Sequence, residues 1–542
     1  MSVKSKLIRN TIVNYAIRFW GFALTFVLFW YIVGNIGETE YGIYLFITAI
    51  TGYFGILDLG IGNSLVKFVA QYHAEDDKEK LNEVINTSFF IFLFIGIASA
   101  LIIFLIGTFL LEFLSGTFPA LDAPDFYPKA RAIIYILGAI FMFSLSLASL
   151  KGILAGLQRY DILAMITFIM SIVNVVVVVL VLSMGMGVVE LVFYTSCVGL
   201  IGFILTAWFV QKLLPHVTIK FSYVKRDMIK VLMDLSMSVF LLSVFIMVIY
   251  YTDRLVIGLL VDVTLLTFYQ AAWKLYGIPT RIPEIGLYAV IPAASELEAT
   301  DNLPALRRLF LRGTKYVLAL SLALGVPLFF LSEGMLTIWM GDEYGQYYII
   351  VQILMISIFF DFNNYVATQI LIGMNRIKKF VRYYGIVALL NLCLSVFLVQ
   401  QGYGLTGVAL GTTIPFVLLE VLFLAHVFKV LDIKWGDYAK QVFAKTFPFA
   451  GIVSLAMYGA ILLRPPYIIG THTTLFGLIK DSVEIVLYFG FGCCLYLLLF
   501  YFKGLDTKEK GEIKHIFNRI KARLKFWGKN NGNSQMDSED KK

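Results

Sequence analysis

AGLQRY (residues 155–160) and IGMNRI (residues 372–377) are two copies of one short pattern, and they begin 217 positions apart. The same offset continues without a gap and pairs, in order, Gly156, Arg159, Asn174, Gly185 and Gly187 with Gly373, Arg376, Asn391, Gly402 and Gly404. Each copy predicts a helix ending in a Gly/Arg turn, then an apolar helix with one asparagine, then a glycine turn. Two such halves without a catalytic signature are typical of transporters, in which one helix bundle moves against another around a site between them.

The composition excludes a soluble globular protein. Hydrophobic residues make up 59% of the 542 residues and charged residues only 15%, with a mean hydropathy of +0.82. This polar surface is too small to cover a globule of that length, so the chain belongs in a bilayer. The net charge of +8 does not indicate nucleic-acid binding, because the basic residues collect at the ends of apolar segments. The cysteines lie in apolar stretches, which favours buried thiols over disulfides or a metal site: Cys197, Cys393, Cys493 and Cys494.

Apolar stretches long enough to cross a bilayer, roughly 20 residues each, occur fourteen times in the sequence. They lie near residues 11–35, 41–62, 84–110, 132–156, 161–184, 188–213, 231–259, 266–294, 315–340, 347–373, 380–400, 404–430, 441–463 and 480–502. We therefore predict an all-α polytopic membrane protein with about fourteen transmembrane helices.

The loop charges predict which side of the membrane each connection occupies. Every even-numbered span is followed by a loop rich in Lys and Arg, whereas the intervening loops are nearly free of them: residues 34–40, 184–187, 258–264, 341–346 and 400–404. Because Lys and Arg in short loops stay on the cytoplasmic side, both termini are predicted to be cytoplasmic.

The repeat divides the chain into regions. We predict an N-terminal six-helix bundle (1–216), a C-terminal six-helix bundle (217–435) and two additional transmembrane helices (436–503). Because each repeat holds an even number of spans, the two are parallel, related by an axis along the membrane normal. Residues 504–528 predict a basic amphipathic helix on the anionic cytoplasmic leaflet, with a solvated tail of chance periodicity as the alternative. Residues 529–542 predict a disordered tail.

Eight motifs in order carry a resemblance to a known family. They are GETEYGIYLF (37–46), LDLGIGNSLVKFVAQY (57–72), GILAGLQRYD (152–161), YTDRLVIG (251–258), AVIPAASELEA (289–299), TIWMGDEY (337–344), GMNRIKK (373–379) and YGLTGVALGT (403–412). Over roughly Arg9 to Lys429, the chain resembles the bacterial polysaccharide or oligosaccharide-lipid flippases of the multidrug/oligosaccharidyl-lipid/polysaccharide exporter superfamily.

This resemblance implies a two-bundle fold in the bacterial cytoplasmic membrane. Its cargo would be a polyprenyl-pyrophosphate-linked oligosaccharide, moved from the cytoplasmic to the outer leaflet by alternating access for cell-surface polysaccharide synthesis. A polysaccharide polymerase and glycosyltransferases are the implied partners, besides anionic membrane lipids.

Four cationic residues inside the spans agree with an anionic cargo: Arg18, Arg254, Lys274 and Arg281. A charge at membrane depth costs about 2.5 to 3.5 kcal/mol on insertion scales, so each needs a partner or a purpose. We predict that they bind the pyrophosphate, since a guanidinium can bind two oxygens at once. In the alternative, Arg18 extends to the cytoplasmic surface, Arg254 pairs with Asp253, and Arg281 pairs with Glu284.

Buried carboxylates predict a second site. Four of them could carry a coupling H⁺ or Na⁺: Asp58, Asp253, Glu284 and Asp361. The alternative is a structural ion pair or a helix cap, which is favoured for Asp58. Asn174 and Asn391 are interpreted as hydrogen-bond partners between helices. No other cofactor is expected.

Rival functions remain within the same superfamily. A peptidoglycan-precursor flippase has a chemically similar cargo, and a cation-coupled small-molecule exporter shares the fold. A membrane polymerase or ligase would need a substantial outer loop with catalytic residues. The longest predicted outer connection is only about residues 111–131, and it carries no metal-binding or nucleophile motif, so we predict a transporter and not an enzyme.

Overall fold

The described residues form a helical protein. The computed structural model describes residues 3–58, 61–121, 125–284, 287, 290–374, 376–463, 475–512 and 514–515. Within these ranges there is no β-strand, and ten helical stretches are long and apolar enough to cross a membrane. The predicted all-α polytopic membrane class is confirmed, whereas the count of fourteen spans and the region boundaries stay predictions.

Within the described residues, the first half of the chain forms seven α-helices. They are α1 (Val3–Gly52), α2 (Ile61–Ala74), α3 (Lys78–Leu105), α4 (Leu111–Thr117), α5 (Phe126–Gly156), α6 (Tyr160–Ser183) and α7 (Val188–Leu213). Helix α1 covers most of the first two predicted spans and breaks at Gly37, whose φ of 82° and ψ of 168° are not helical. Glycine adopts this backbone without a steric cost, so GETE at residues 37–40 is where the chain turns between two spans.

The second half forms eight α-helices in the parts that the structure describes. They are α8 (Arg226–Leu260), α9 (Leu265–Glu284), α10 (Val290–Ala299), α11 (Leu303–Met340), α12 (Asp342–Gly345), α13 (Tyr348–Gly373), α14 (Lys378–Leu398) and α15 (Gly404–Leu431). A large buried apolar cluster joins the two halves and includes Phe29 and Phe46 of α1, Val256 of α8 and Phe310 of α11.

Three further helices follow: α16 (Trp435–Gln441), α17 (Phe447–Leu463) and α18 (Leu475–Leu499). Helices α17 and α18 both pack on α11, so this pair lies against the second half. Of the predicted amphipathic helix at 504–528, residues 507–512 and 514–515 are α-helical, and residues 504–506 precede this helix. Residues 513 and 516–528 lie outside the described residues, as does the predicted tail 529–542.

The two repeat motifs adopt closely similar local structures. The amide of Arg159 donates to the Leu154 carbonyl, and 217 residues later that of Arg376 donates to the Leu371 carbonyl. In the same register, Gly185 and Gly402 both have positive φ, at 73° and 87°. These turns agree with the repeat, while the rotation relating the halves stays a prediction.

The glycines that open the two motifs also play equivalent packing roles. A Cβ at Gly156 would lie 2.7 Å from Val69 of α2, and one at Gly373 would lie 2.7 Å from the Ile291 carbonyl of α10. Each repeat therefore ends a long helix against a short one at a contact that only glycine allows.

Side-chain amides of α3 hold the segment that joins the two halves. Asn82 Oδ1 accepts from the Thr218 amide at 3.2 Å, and Asn86 Nδ2 donates to the Thr218 carbonyl at 2.9 Å. Asn86 Oδ1 also accepts from the Lys220 amide at 2.7 Å. These contacts satisfy backbone groups that a loop would otherwise leave to water, so residues 218–220 lie fixed on α3.

Asn86→Ala should destabilise the protein by weakening the attachment of the linker to α3, without changing any residue of α8 to α15. The substitution removes both hydrogen bonds to the linker and leaves partly buried backbone groups unsatisfied, at about 1 to 3 kcal/mol for each group. We expect a lower melting temperature of the purified protein in detergent. Asn35→Ala is the matched control, since among the described residues the Asn35 side chain hydrogen-bonds only to the Tyr31 carbonyl of its own helix. Equal melting temperatures for the two variants would contradict a structural role for Asn86.

Candidate functional site

A cavity of about 390 Å³ opens between α8 and α9. Helix α8 lines it with Met247, Tyr251 and Arg254, at spacings of four and three residues that place them on one helix face. Helix α9 contributes Trp273 and Arg281, which are eight residues apart and also share a face. We call this space the central cavity; its lining combines two guanidinium groups with aromatic rings.

Residues of the first half flank the same region. Lys274 Nζ donates to the Thr25 carbonyl at 3.2 Å and lies 5.1 Å from the centre of the Phe29 ring, both in α1. On the α8 side, a Cβ at Gly52 would lie 2.6 Å from the Tyr251 ring. The central cavity therefore lies where helices of the two predicted halves meet.

The cationic groups of this region have polar and aromatic neighbours. Arg254 Nη2 donates to Gln270 Oε1 at 3.0 Å, and its guanidinium lies 5.5 Å from the centre of the Tyr251 ring. Of the side chains described, none forms a salt bridge with Arg254, Lys274 or Arg281.

The pairing of Arg254 with Asp253 does not occur, because Asp253 faces other helices. The side chains of Arg18 and Glu284 lie outside the described residues, so their roles and the pairing of Arg281 with Glu284 stay predictions. The backbone of Arg18 belongs to α1, the helix that also supplies Thr25 to Lys274.

Asp253 is the centre of a buried polar cluster in the second half. Its side chain is 2% exposed, and its carboxylate accepts from Tyr269 Oη at 2.8 Å and from Thr412 Oγ1 at 2.8 Å. Asn391 Nδ2 contacts the carboxylate at 3.3 Å and donates to Thr412 Oγ1 at 2.9 Å. We call these four residues the Asp253 cluster; they come from α8, α9, α14 and α15.

The Asp253 cluster presents the oxygen ligands that hard cations prefer. The Asn391 carbonyl oxygen has no hydrogen-bond partner among the described groups, which leaves an acceptor beside the carboxylate. A carboxylate, an amide oxygen and a hydroxyl can bind Na⁺, and the carboxylate alone can take up H⁺. The sequence predicted Asn391 as a partner between helices without identifying Asp253 as the partner.

The remaining acidic candidates are not gathered at this cluster by any described contact. The side chains of Asp58 and Asp361 lie outside the described residues, so their proposed ion binding stays a prediction. Another buried acid of α15, Glu420, accepts from Asn364 Nδ2 at 2.8 Å. Across the described ranges, no group of three or more His, Cys, Asp or Glu residues could hold a metal ion.

The turn after Gly37 connects to the second half at the face that the charge pattern predicts to be outer. The Glu38 carbonyl accepts from Thr267 Oγ1 at 2.7 Å, and Glu38 Oε1 accepts from Tyr344 Oη at 3.2 Å. Thr39 Oγ1 and Thr264 Oγ1 lie 3.1 Å apart. We call these five residues the outer gate, because they close one end of the interface between the halves.

Glu40, two residues further on, binds the first half instead. Glu40 Oε1 accepts from Lys129 Nζ at 2.6 Å, and Glu40 Oε2 accepts from the Val188 amide at 3.1 Å. The two glutamates of the GETEY motif therefore contact opposite halves. One short turn thus couples the start of α7 to the start of α9 and to α12.

Fold and site together define a multi-pass membrane protein with a cationic cavity lined by α8 and α9. Residues 7–298, which are 292 of the 542 residues, match the family described as polysaccharide biosynthesis protein. The chain belongs to this family, and the resemblance found in the sequence is confirmed. No curated protein matches the chain.

Solved structures of two membrane transport proteins share the fold. An inward-facing multidrug resistance MATE family transporter of the MOP superfamily is 14% identical, with a TM-score of 0.66, over 78% of this chain and 98% of that one. The lipid II flippase MurJ, in an inward closed conformation, is 17% identical, with a TM-score of 0.65, over 90% of this chain and 98% of that one. At these identities the likeness shows a shared fold.

Proposed function

We propose that the protein is a flippase for a polyprenyl-pyrophosphate-linked oligosaccharide, which it moves from the cytoplasmic to the outer leaflet. The observation that carries this proposal is the central cavity, where Arg254 and Arg281 stand without a described carboxylate partner. A cationic export cargo would instead favour a cavity lined with acids.

The lining suits both parts of such a headgroup. Guanidinium groups bind the oxygens of a diphosphate in pairs, and two of them in one cavity can engage both phosphates. The flat faces of Tyr251 and Trp273 offer apolar surfaces for sugar rings, and their polar atoms can hydrogen-bond hydroxyl groups. In this proposal, Lys274 and Arg18 add positive charge from α9 and α1.

We take the outer gate as the closed side of an alternating-access cycle. The gate joins the two halves, so in this proposal the headgroup enters from the opposite, predicted cytoplasmic side. Release requires the hydrogen bonds across the outer gate to break, namely those of Glu38 and Thr39 to the second half, including the one that Tyr344 donates. The polar headgroup would cross between the bundles while the polyprenyl chain stays in the hydrocarbon.

The Asp253 cluster is the proposed ion-coupling site. Asp253 and Arg254 are neighbours in α8, and Arg254 lines the central cavity. Binding of H⁺ or Na⁺ at the carboxylate would therefore change the electrostatic potential at the anion site. Neutralising Asp253 removes a negative charge beside the guanidinium. Ion binding therefore strengthens the attraction of Arg254 for the pyrophosphate.

Asp253→Asn should remove the response of transport to an ion gradient. Asparagine keeps the shape and the acceptor for Tyr269 but not the charge that binds H⁺ or Na⁺. Flipping by the variant in proteoliposomes should be the same with and without an imposed H⁺ or Na⁺ gradient. Asp301→Asn, at an exposed loop position, is the control that should keep the wild-type response. An unchanged gradient response in Asp253→Asn would exclude this site.

A substrate comparison tests the function itself. The purified protein in proteoliposomes should flip a fluorescent polyprenyl-pyrophosphate oligosaccharide, and an excess of lipid II should compete poorly. The likeness to MurJ over 90% of this chain keeps the peptidoglycan precursor as the second candidate. Preferential flipping of lipid II would favour that candidate, and transport of a cationic dye without either lipid would favour an exporter. A polymerase and glycosyltransferases are the proposed partners that use the flipped unit.

A further inference from the structure

A second charged pocket lies at the opposite end of the second half from the outer gate. It has a volume of about 80 Å³, more than the roughly 30 Å³ that one water molecule takes in the liquid. Helix α11, helix α16 and the segments after α16 and α18 line it with six charged side chains: Arg312, Lys315, Lys440, Lys445, Asp506 and Glu509. We call it the basic pocket.

One of the two carboxylates is already neutralised within the protein. Lys315 Nζ donates to Glu509 Oε2 at 2.7 Å, and both side chains are almost completely buried. The Asp506 amide donates to the same oxygen at 2.8 Å. Burial acts to raise the pKa of Glu509, but these hydrogen bonds and the Lys315 charge outweigh it and hold the pKa below its usual value. Glu509 therefore stays ionised and paired.

The cationic side chains of the basic pocket outnumber its carboxylates. In the described part of the chain, neither Lys440 nor Lys445 forms a salt bridge, and Lys445 Nζ only donates to the Lys503 carbonyl at 3.3 Å. Arg312 lies 3.9 Å from Glu509 and 3.7 Å from Glu512, at the outer limit of ion pairing. Four cations thus face two carboxylates in one concave site.

Exposed aromatic side chains place this pocket at the membrane surface. Trp435 and Phe443 flank Lys440 in sequence and are 50% and 51% exposed. Tyr501 and Phe502, at the end of α18, are 39% and 63% exposed. Trp and Tyr collect where hydrocarbon meets headgroups, so the basic pocket lies at headgroup depth and not in bulk solvent.

We propose that the basic pocket binds the phosphate of an anionic phospholipid headgroup, with Lys440 and Lys445 as its main contacts. Basic pockets between transmembrane helices on the cytoplasmic side can bind such headgroups. A lipid is the favoured source of the phosphate because the flanking aromatic residues put the site among headgroups. Bound lipid would hold residues 503–512 against α11 and so fix the start of the predicted amphipathic helix.

Lipid titration of the full-length protein in detergent tests the proposal. The probes are short-chain phosphatidylglycerol, phosphatidylcholine of the same chain length, and inorganic phosphate, and the readout is the melting temperature as a function of probe concentration. Lys440→Gln/Lys445→Gln removes the surplus charge, while glutamine keeps a donor for the Lys503 carbonyl. Lys429→Gln/Lys434→Gln is the control, with the same charge loss at exposed lysines outside the pocket.

We expect phosphatidylglycerol to bind Lys440→Gln/Lys445→Gln roughly thirtyfold more weakly than it binds the wild type or the control. This factor corresponds to about 1 kcal/mol for each lysine. Equal affinity in the pocket variant and the wild type, or equal loss in both double variants, would overturn the proposal. Phosphatidylcholine has a phosphate whose charge is balanced by choline, so equal stabilisation by it would exclude the net negative charge of the headgroup as the determinant and overturn the proposal. Equal stabilisation by inorganic phosphate would exclude a lipid. If the double variant does not fold, the affinity of the single variant Lys440→Gln for phosphatidylglycerol decides between these outcomes. No described contact depends on Lys440.

Discussion

Arg281→Ala should stop the flipping of a pyrophosphate-linked oligosaccharide while the protein still inserts in the membrane. Arg281 lines the central cavity and forms no described salt bridge, so its loss removes a ligand for the cargo and breaks no ion pair among the described residues. Charge-assisted hydrogen bonds to an anion are worth about 1.5 to 3 kcal/mol, so cargo occupancy should fall at least about tenfold. Flipping in proteoliposomes, at matched protein amounts, measures the effect.

Arg→Lys substitutions at positions 254 and 281 separate charge from geometry. Lysine keeps the charge but not the planar pair of donors, so a site that needs a bidentate contact should fail with lysine as well. Arg308→Ala, at an exposed position near the start of α11, is the matched control and should keep full activity. Full activity of Arg254→Ala and Arg281→Ala at normal protein levels would refute an anion-binding cavity and favour the exporter function.

A disulfide across the outer gate should arrest transport completely. Thr39 Oγ1 and Thr264 Oγ1 lie 3.1 Å apart and belong to opposite halves, so cysteines at these positions can approach the Cβ separation of a disulfide. In a background in which the four native cysteines are replaced, oxidised Thr39→Cys/Thr264→Cys should hold the gate closed. Cargo should then bind from the cytoplasmic side but not be released outside. Addition of dithiothreitol should restore flipping.

The two single-cysteine variants are the controls for this experiment, because they carry the same side chains and cannot cross-link within one chain. Loss of maleimide labelling verifies that the disulfide has formed. Normal flipping by a fully cross-linked sample would mean that the outer gate does not open during transport, and alternating access through it would be wrong.

Local sequence patterns predicted the helical class and the turns of this fold. Apolar length determines where a helix can span a bilayer, and glycine identifies sharp turns such as those at Gly37 and Gly402. These features depend on a few neighbouring residues. The repeated pattern at Gly156 and Gly373 also indicated equivalent helix ends from the sequence alone.

The side-chain partners could not be predicted in the same way. Sequence proximity suggested Asp253 as a partner for Arg254, but adjacent helix residues point about 100° apart and meet different neighbours. The partners of Asp253 include Asn391, 138 positions away. That contact depends on the rotation of four helices about their axes, which apolar periodicity alone does not determine.

The hydrogen bonds between α3 and the linker limit where the chain can bend. Asn82 and Asn86 bind the linker through residues 218–220, and Thr87 Oγ1 accepts from the Lys225 amide at 3.3 Å. The attachment to the first half continues past Lys225 into α8, because Met228 and Leu232 belong to a buried cluster of first-half residues. A fluorophore at Ser222 would therefore report the position of the first half, although more than half of the chain follows it.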